Sequence, residues 1–208
     1  MQDLSTWDAL AAEVGVLQPR ERVIAGMARA LVVEEYNRIS VVDIVRHAKV
    51  SKRTFYEHFK DKEDCFLATY SQLASVVLMF VAEAARLAEN DDAKLEAATS
   101  AYLTNLSQVP SLARAFLLDV QAAGPRAMAL QRSIHNRYAE VVRMLADGIR
   151  EPGDCRPPLP RSLALAFVGG VNELVLDALD NGDDLNSVHG AAVELARAIL
   201  LYFLHQPN

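Results

Sequence analysis

The residues most able to do chemistry lie between Arg46 and Lys62. Six cations (Arg46, Lys49, Lys52, Arg53, Lys60, Lys62) stand there against two anions, Glu57 and Asp61, a balance of +4. The whole chain carries −6, so the rest of it carries −10. A short cationic island in an acidic protein is a localised surface for a polyanion. Charge alone would equally suit a solvated basic face; the residues interleaved with it favour a nucleic acid. Ser51 suits the cap of a helix beginning at Lys52. Lys52, Arg53 and Thr54 then fall in its first turn, where side chains reach base edges. Tyr56, Lys60 and Lys62 offer a hydroxyl and two ammoniums to phosphate oxygens. Backbone amides opening the following helix, beside Lys62, would add an anion site. Phe55 and Phe59 alternate with these groups and anchor the helix to a core.

Two short helices must position this surface. Ser40 with Asp43 makes a capping-box-like start for a helix carrying Val41, Ile44 and Val45 to about His47. Ala48-Lys49-Val50 is a tight connection to the second helix, Lys52 to His58. Two short helices joined this way form a helix-turn-helix, whose second member enters the major groove. An earlier helix opens at Pro19 and shows Val23, Met27, Ala28 and Leu31 on one face to about Glu35. A later one begins at Asp61 to Asp64 and continues through Phe66, Tyr70, Leu73, Val77 and Phe80. Ahead of these, Leu4, Trp7, Ala11 and Val14 share one face of a short helix between Ser5 and Gly15. That arm is acidic, which suits packing on protein better than entering a DNA groove.

The run from Ser40 to Asp64, SVVDIVRHAKVSKRTFYEHFKDKED, closely resembles the DNA-binding signature of the tetracycline-repressor (TetR) family. With the preceding helix the resemblance spans residues 20–70. It implies a homodimeric, all-helical regulator whose larger C-terminal domain binds a small molecule and releases DNA. Repression is the family's usual behaviour. The resemblance also implies that Thr54, Tyr56, His58 and Lys62 occupy positions used for DNA contact. The DNA-binding set is therefore Ser40, Lys49, Ser51, Lys52, Arg53, Thr54, Tyr56, His58, Lys60 and Lys62. Two residues depart from the pattern: Lys49 in the turn and Glu35 before Tyr36 stand where the family usually has glycine. Those glycines commonly take positive φ, which costs another residue roughly 1–2 kcal/mol. Either the turn at Lys49 is strained or its backbone differs; a phosphate contact from the Lys49 ammonium would offset such strain.

The remainder reads as helices. With 208 residues, 51% hydrophobic and only 9 Gly and 8 Pro, an all-α fold of about nine helices is expected. It divides into a DNA-binding domain at 1–66, with the helix-turn-helix in a three-helix unit, and a ligand-binding and dimerisation domain at 67–208. Asn90-Asp91-Asp92 and Pro110 open helices, and Gly124-Pro125 stops one. A long helix runs from there to about Arg150, with Leu130, Ile134, Tyr138, Val141, Leu145 and Ile149 on one face. Glu151 to Pro160 holds four prolines and is an irregular connector. Between Ser162 and Asp180 the only charges are Glu173, Asp177 and Asp180; between Gly190 and Leu204 they are Glu194 and Arg197. Helices this apolar are buried on most sides, which points to a twofold dimer through residues 162–204, with Gly169 and Gly170 permitting close approach. A monomeric bundle burying both helices is the alternative. The resemblance implies that this pair forms an intersubunit four-helix bundle.

A small-molecule inducer would occupy a largely apolar cavity among the helices from about residue 76 to 175. Phe80, Tyr102, Asn105, Phe116, Gln121, His135, Tyr138 and Asn172 are its aromatic and polar candidates, although each alone would equally serve the core. No Arg or Lys obviously faces inward, which favours an apolar or weakly polar ligand. An enzyme is the rival class, but the chain lacks a P-loop, GxGxxG, HExxH, GxSxG and paired metal-ligand spacing. No catalytic residue, metal or cofactor is expected. A helical binding module without DNA recognition is a second rival, disfavoured by the cationic island. No segment reads as a membrane span or signal peptide. Cys65 reads as a small core hydrophobe and Cys155 as exposed; with no CxxC pair, a reducing cytoplasm is the simplest location.

Overall fold

The computed structural model describes residues 18–148 and 157–204. The expected arm helix of residues 1–17, Ile149 and Arg150, and most of the proline-rich connector with Cys155 lie outside the described residues. The described residues form nine α-helices and no strand, as expected of an all-α chain. They are α1 (Pro19–Val33), α2 (Val41–Ala48), α3 (Lys52–His58), α4 (Lys62–Leu87), α5 (Asp91–Gln108), α6 (Pro110–Leu117), α7 (Pro125–Gly148), α8 (Arg161–Asn181) and α9 (His189–Leu204). Short 3₁₀ turns at Asp119–Ala123 and Leu185–Val188 link α6 to α7 and α8 to α9.

Local rules account for most boundaries. Pro19 occupies the first turn of α1, where its missing N–H costs nothing. Ser40 and Asp43 form a reciprocal capping box on α2: the Asp43 N–H donates to Ser40 Oγ, and the Ser40 N–H donates to Asp43 Oδ2. The Ser40 hydroxyl, at 2.6 Å, and the Ser40 N–H both donate to Asp43 Oδ2, and these bonds, then Arg46 nearby, hold the Asp43 carboxyl below the usual carboxylate range. Asn90 Oδ1 accepts from the Ala93 N–H at the start of α5. Gly182, at φ 75°, ends α8 in the left-handed conformation that favours glycine.

The chain divides into two compact units, one of the described residues up to Ala74 with Gln108–Gln131, the other of Ser75–Ser107 and the described residues from Arg132 onward. In the first, α1 buries Val23, Ile24, Met27, Ala28 and Leu31, and packs mainly against α2. Gly26 makes that crossing possible. A Cβ there would lie 2.6 Å from Ala48 Cβ and 2.7 Å from the Ile44 carbonyl oxygen. Phe66, Tyr70 and Phe116 complete this core, with Tyr70 and Phe116 stacked at 4.5 Å between ring centroids.

In the second unit, α8 buries Ala164, Phe167, Val168, Val171, Asn172, Val175 and Ala178. Its exposed stripe is small in the first half (Ser162, Ala166, Gly169) and acidic in the second (Glu173, Asp177, Asp180). Gly170 faces α9 within the chain, 3.1 Å from Leu195 Cδ2 by its would-be Cβ, whereas Gly169 faces open space. The expected face of α7 is rotated slightly. Ile134, Ala139, Val142 and Ala146 are the buried line, while Val141 and Leu145 are half-exposed because they border a cavity.

The expectation that no segment has the length and apolarity of a membrane span needs correction. By length and composition, α4 and α8 both qualify, with mean hydropathy 1.8 and 1.5 over their most apolar stretches. In α4 the burial is nonetheless one-sided. Cys65, Phe66, Thr69, Tyr70, Ala74, Val77, Val81 and Ala85 are buried at helical spacing, and Gln72, Ser75, Glu83 and Arg86 are exposed. That is the pattern of a long core helix in a globular protein.

Candidate nucleic-acid interface and ligand cavity

The second helix of the helix-turn-helix, α3, is held from one side and open on the other. Ser51 caps it, with Oγ accepting from the Thr54 N–H at 3.0 Å and lying 2.9 Å from Thr54 Oγ1. Phe55 and Phe59 are buried, with ring centroids 5.8 Å apart. From α1, the Arg20 guanidinium sits 5.3 Å from the centre of the Phe59 ring. The other side presents Lys52, Arg53, Tyr56, His58 and Lys60 to solvent, with Tyr56 58% exposed. Ser40, Lys49 and Ser51 are also exposed, and Thr54 is half-buried. Nine of the ten expected contact residues thus have a side chain at the surface of α2, α3 or their connections. Arg53 is paired with Glu57 one turn along, Nε to Oε1 at 3.0 Å. A pair this exposed contributes little and yields readily to a phosphate or base.

Lys62, the tenth, is placed differently. Its ammonium donates to the Tyr36 carbonyl at 2.9 Å and lies 4.1 Å from the centre of the Tyr36 ring. Burial lowers its pKa, and burial with nearby acids raises that of Tyr36 to about 12. Lys62 therefore ties the α1–α2 loop to the start of α4, leaving two of its three donor positions for an anion. The anion site expected beside it is partly taken up by the chain's own carboxylates. Asp61 Oδ1 takes the Asp64 N–H at 2.8 Å, and Asp64 Oδ2 takes the Lys60 N–H at 3.3 Å. Glu63 adds a further negative charge in the same turn.

The turn itself resolves the question of the two missing glycines. Lys49 takes φ 53°, ψ 46°, the one non-glycine residue with positive φ among the described residues. Its N–H donates to the Arg46 carbonyl and that of Val50 to the Val45 carbonyl, the paired bonds of a Schellman ending. Glu35 does not take positive φ, so no strain arises there. Sequence reasoning missed what secures the turn. Arg22 Nη2, from α1, donates to the Lys49 carbonyl at 2.5 Å and the Ala48 carbonyl at 3.3 Å. Nothing in residues separated by 27 positions signals that contact.

The second unit contains a cavity of about 40 Å³ between α4, α5, α7 and α8. One water needs roughly 10–15 Å³ on the same measure, so a slim molecule or chain segment fits. Val81, Leu95, Val141, Leu145, Val168 and Val171 supply most of its wall, and no charged side chain lines it. Three of the eight expected ligand residues, Tyr102, Tyr138 and Asn172, border it. His135 stands directly behind Asn172. The Tyr102 hydroxyl donates to Asn172 Oδ1 at 2.6 Å, and Asn172 Nδ2 lies 3.2 Å from His135 Nε2. An amide nitrogen only donates, so Nε2 accepts and the ring is neutral; burial lowers its pKa in the same sense.

Phe80, Asn105, Phe116 and Gln121 are not brought to this cavity. Phe80 is half-buried elsewhere on α4, and Asn105 Nδ2 donates back to the Ala101 carbonyl of its own helix. Phe116 is core in the first unit, and Gln121 is exposed on a 3₁₀ turn. Their shared polarity or aromaticity carried no information about direction. Cys65 is buried, its thiol pushed up to about 12, and serves as the small hydrophobe expected.

Residues 25–69 match the family model described as bacterial regulatory proteins, tetR family. No curated protein matches the chain. Several solved structures share its fold. A fatty acid degradation regulator, FadR, from Bacillus halodurans is 16% identical with TM-score 0.73, covering 88% of this chain and 96% of its own. The transcriptional regulator FadR from Bacillus subtilis, in complex with stearoyl-CoA, is 19% identical with TM-score 0.70, covering 86% and 97%. A TetR-family transcriptional regulator from Streptomyces coelicolor is 18% identical with TM-score 0.69, covering 97% of each.

Proposed function

We propose that this chain, which belongs through residues 25–69 to the tetR family of bacterial regulatory proteins, represses transcription as a cytoplasmic homodimer and leaves its operator when a mainly apolar small molecule binds. Residues 1–66 would serve DNA binding and 67–208 ligand binding and dimerisation, although Gln108–Gln131 pack in the first compact unit. One observation carries the reading: a Ser51-capped helix, anchored by Phe55 and Phe59, turns Lys52, Arg53, Tyr56 and His58 outward on a positively charged surface. A second copy through residues 162–204 would present that surface twice, as a palindromic operator requires. The small exposed residues Ser162, Ala166 and Gly169 of α8, and Ala191 and Ala198 of α9, support the dimer by offering low-relief helix faces, and Leu201 of α9 adds an exposed large apolar side chain. The ligand reading is supported by the uncharged cavity beside Tyr102 and Asn172. It is also supported by the fold shared with a regulator solved with stearoyl-CoA. Helix α4 begins next to α3 and carries Val81 of the cavity wall, so one continuous helix contributes to both sites.

Gel-shift titration against DNA from upstream of the gene tests this. Specific binding should weaken steeply with salt, since each neutralised phosphate releases counterions. Changing Tyr56 or Lys62 should weaken binding to all sequences, and changing Arg53 or Thr54 should alter sequence preference. Four neutral variants would refute the interface.

A further inference from the structure

Of the two anions inside the cationic island, Asp61 takes an amide at the start of α4, whereas Glu57 stands exposed on α3 itself. A carboxylate there repels phosphate, so its place among the DNA-facing residues calls for another use. Helical geometry says where it points. Arg53 lies two residues before the buried Phe55 and Glu57 two after it. At 100° per residue each stands about 200° round from Phe55, on opposite sides of the outermost line. They are the two side chains directed farthest from the core, with Lys52 and Tyr56 on one flank and Thr54 and His58 on the other. Their side chains are 89% and 52% exposed. Arg53 Nε donates to Glu57 Oε1 at 3.0 Å. That bond leaves the N–H groups of Nη1 and Nη2, at the end of the planar guanidinium, available to other acceptors.

We infer that Arg53 and Glu57 act as one base-reading unit: Arg53 takes a guanine in each half-site through its Nη edge, and Glu57 is the positioning residue that holds the guanidinium to it. When α3 lies in the major groove, its flanks face the two phosphate walls and its outermost pair faces the base edges. An arginine left unheld there could swing to either wall. Glu57 repels the phosphates and occupies Nε, so only the end-on edge of the guanidinium meets the base pairs. Guanine offers that edge two adjacent acceptors, N7 and O6. Adenine puts an amino donor in place of O6, thymine offers one acceptor, and cytosine offers a donor. The pair is weak in water because it is exposed, and it strengthens as the groove excludes solvent from it. The inference rests on the regulator reading and adds to it which base is read and what enforces the choice.

The test takes full-length protein and a pool of randomised double-stranded DNA, from which bound sequences are enriched and then measured singly. Each half of the enriched site should hold one guanine whose exchange for another base weakens binding about tenfold to a hundredfold. At that position inosine, which keeps N7 and O6, should bind like guanine, and 7-deazaguanine, which lacks N7, should not. Glu57→Ala should reduce the preference for that guanine about fivefold or more. It should also tighten binding to non-specific DNA, because a negative charge leaves the cationic surface. Glu57→Gln keeps an acceptor for Nε without the charge. It should tighten non-specific binding to the same extent and retain more of the guanine preference. A purely structural role for Glu57 would change affinity for every sequence alike and leave base preference intact. Unchanged preference at every position in Glu57→Ala, or full tolerance of 7-deazaguanine, would overturn the inference, while the enriched sequences would leave the regulator reading standing. If no sequence is enriched over the random pool, the regulator reading fails and the inference falls with it.

Discussion

Lys49 offers a test in which stability and DNA binding should move in opposite directions. Its left-handed backbone costs a lysine roughly 1 kcal/mol relative to glycine. Lys49→Gly removes that strain but returns about 0.5–1 kcal/mol through the greater freedom of glycine in the unfolded chain. The expected net gain is therefore between 0 and about 0.5 kcal/mol, or at most ~1–2 °C in Tm for a chain of this size. Lys49→Asn separates the two effects, because asparagine tolerates the left-handed region without supplying a cation. Both variants lose one phosphate contact per copy. In a dimer with two copies on DNA, the slope of log affinity against log salt should flatten by about 1.8. The assays are differential scanning calorimetry and gel shift over a range of salt. If both variants keep the wild-type slope, Lys49 touches no phosphate; if Lys49→Gly melts well below wild type, the strain argument is wrong. Arg22→Met provides a control on geometry. It removes the donor to the Ala48 and Lys49 carbonyls, so affinity should fall through misplacement of the turn while the salt slope stays near wild type.

Three further outcomes are expected. Gly26→Ala would stabilise an isolated helix by about 1 kcal/mol, yet here its Cβ would meet Ala48 and the Ile44 carbonyl below 3 Å. Urea denaturation should show a net loss of about 1–3 kcal/mol, and a gain would show that α1 and α2 do not cross this closely. A Cβ at the exposed Gly169 meets no atom within 4 Å in the chain, so in Gly169→Arg the fold should persist by circular dichroism. Sedimentation at micromolar concentration should nonetheless shift from dimer to monomer, and an intact dimer would place the interface elsewhere. His135 binds its proton more weakly when folded than unfolded because burial disfavours the imidazolium. The unfolded chain therefore takes up more protons as pH falls below about 6.5, and Tm should drop there and be constant above it. His135→Gln should flatten that part of the profile; identical profiles would remove His135 as its cause.

The helix-turn-helix was legible in the sequence because most of what builds it is local. Ser40 caps α2 through Asp43, Ser51 caps α3, and the periodicity of Ile44, Val45, Phe55 and Phe59 declares the buried side. Once that side is known, the outward direction of Lys52, Arg53 and Tyr56 follows from helical geometry. Composition likewise determined an all-helical chain, and the charges of residues 162–180 marked the acidic stripe that is exposed on α8. Tertiary structure alone decided which of eight polar or aromatic candidates share a cavity, because Tyr102, Tyr138 and Asn172 come from three helices, and Asn172 meets Tyr102 and His135 across separations of 70 and 37 residues. It also decided that Arg22 braces the turn, that Gly26 must be glycine, that Asp61 takes one of the amides at the helix end expected to bind anions, and that Lys62 leans on Tyr36. Caps and stripes are set by neighbours within a turn or two, whereas the direction of a lone side chain depends on how distant helices rotate as they pack, and no short window of sequence records that rotation.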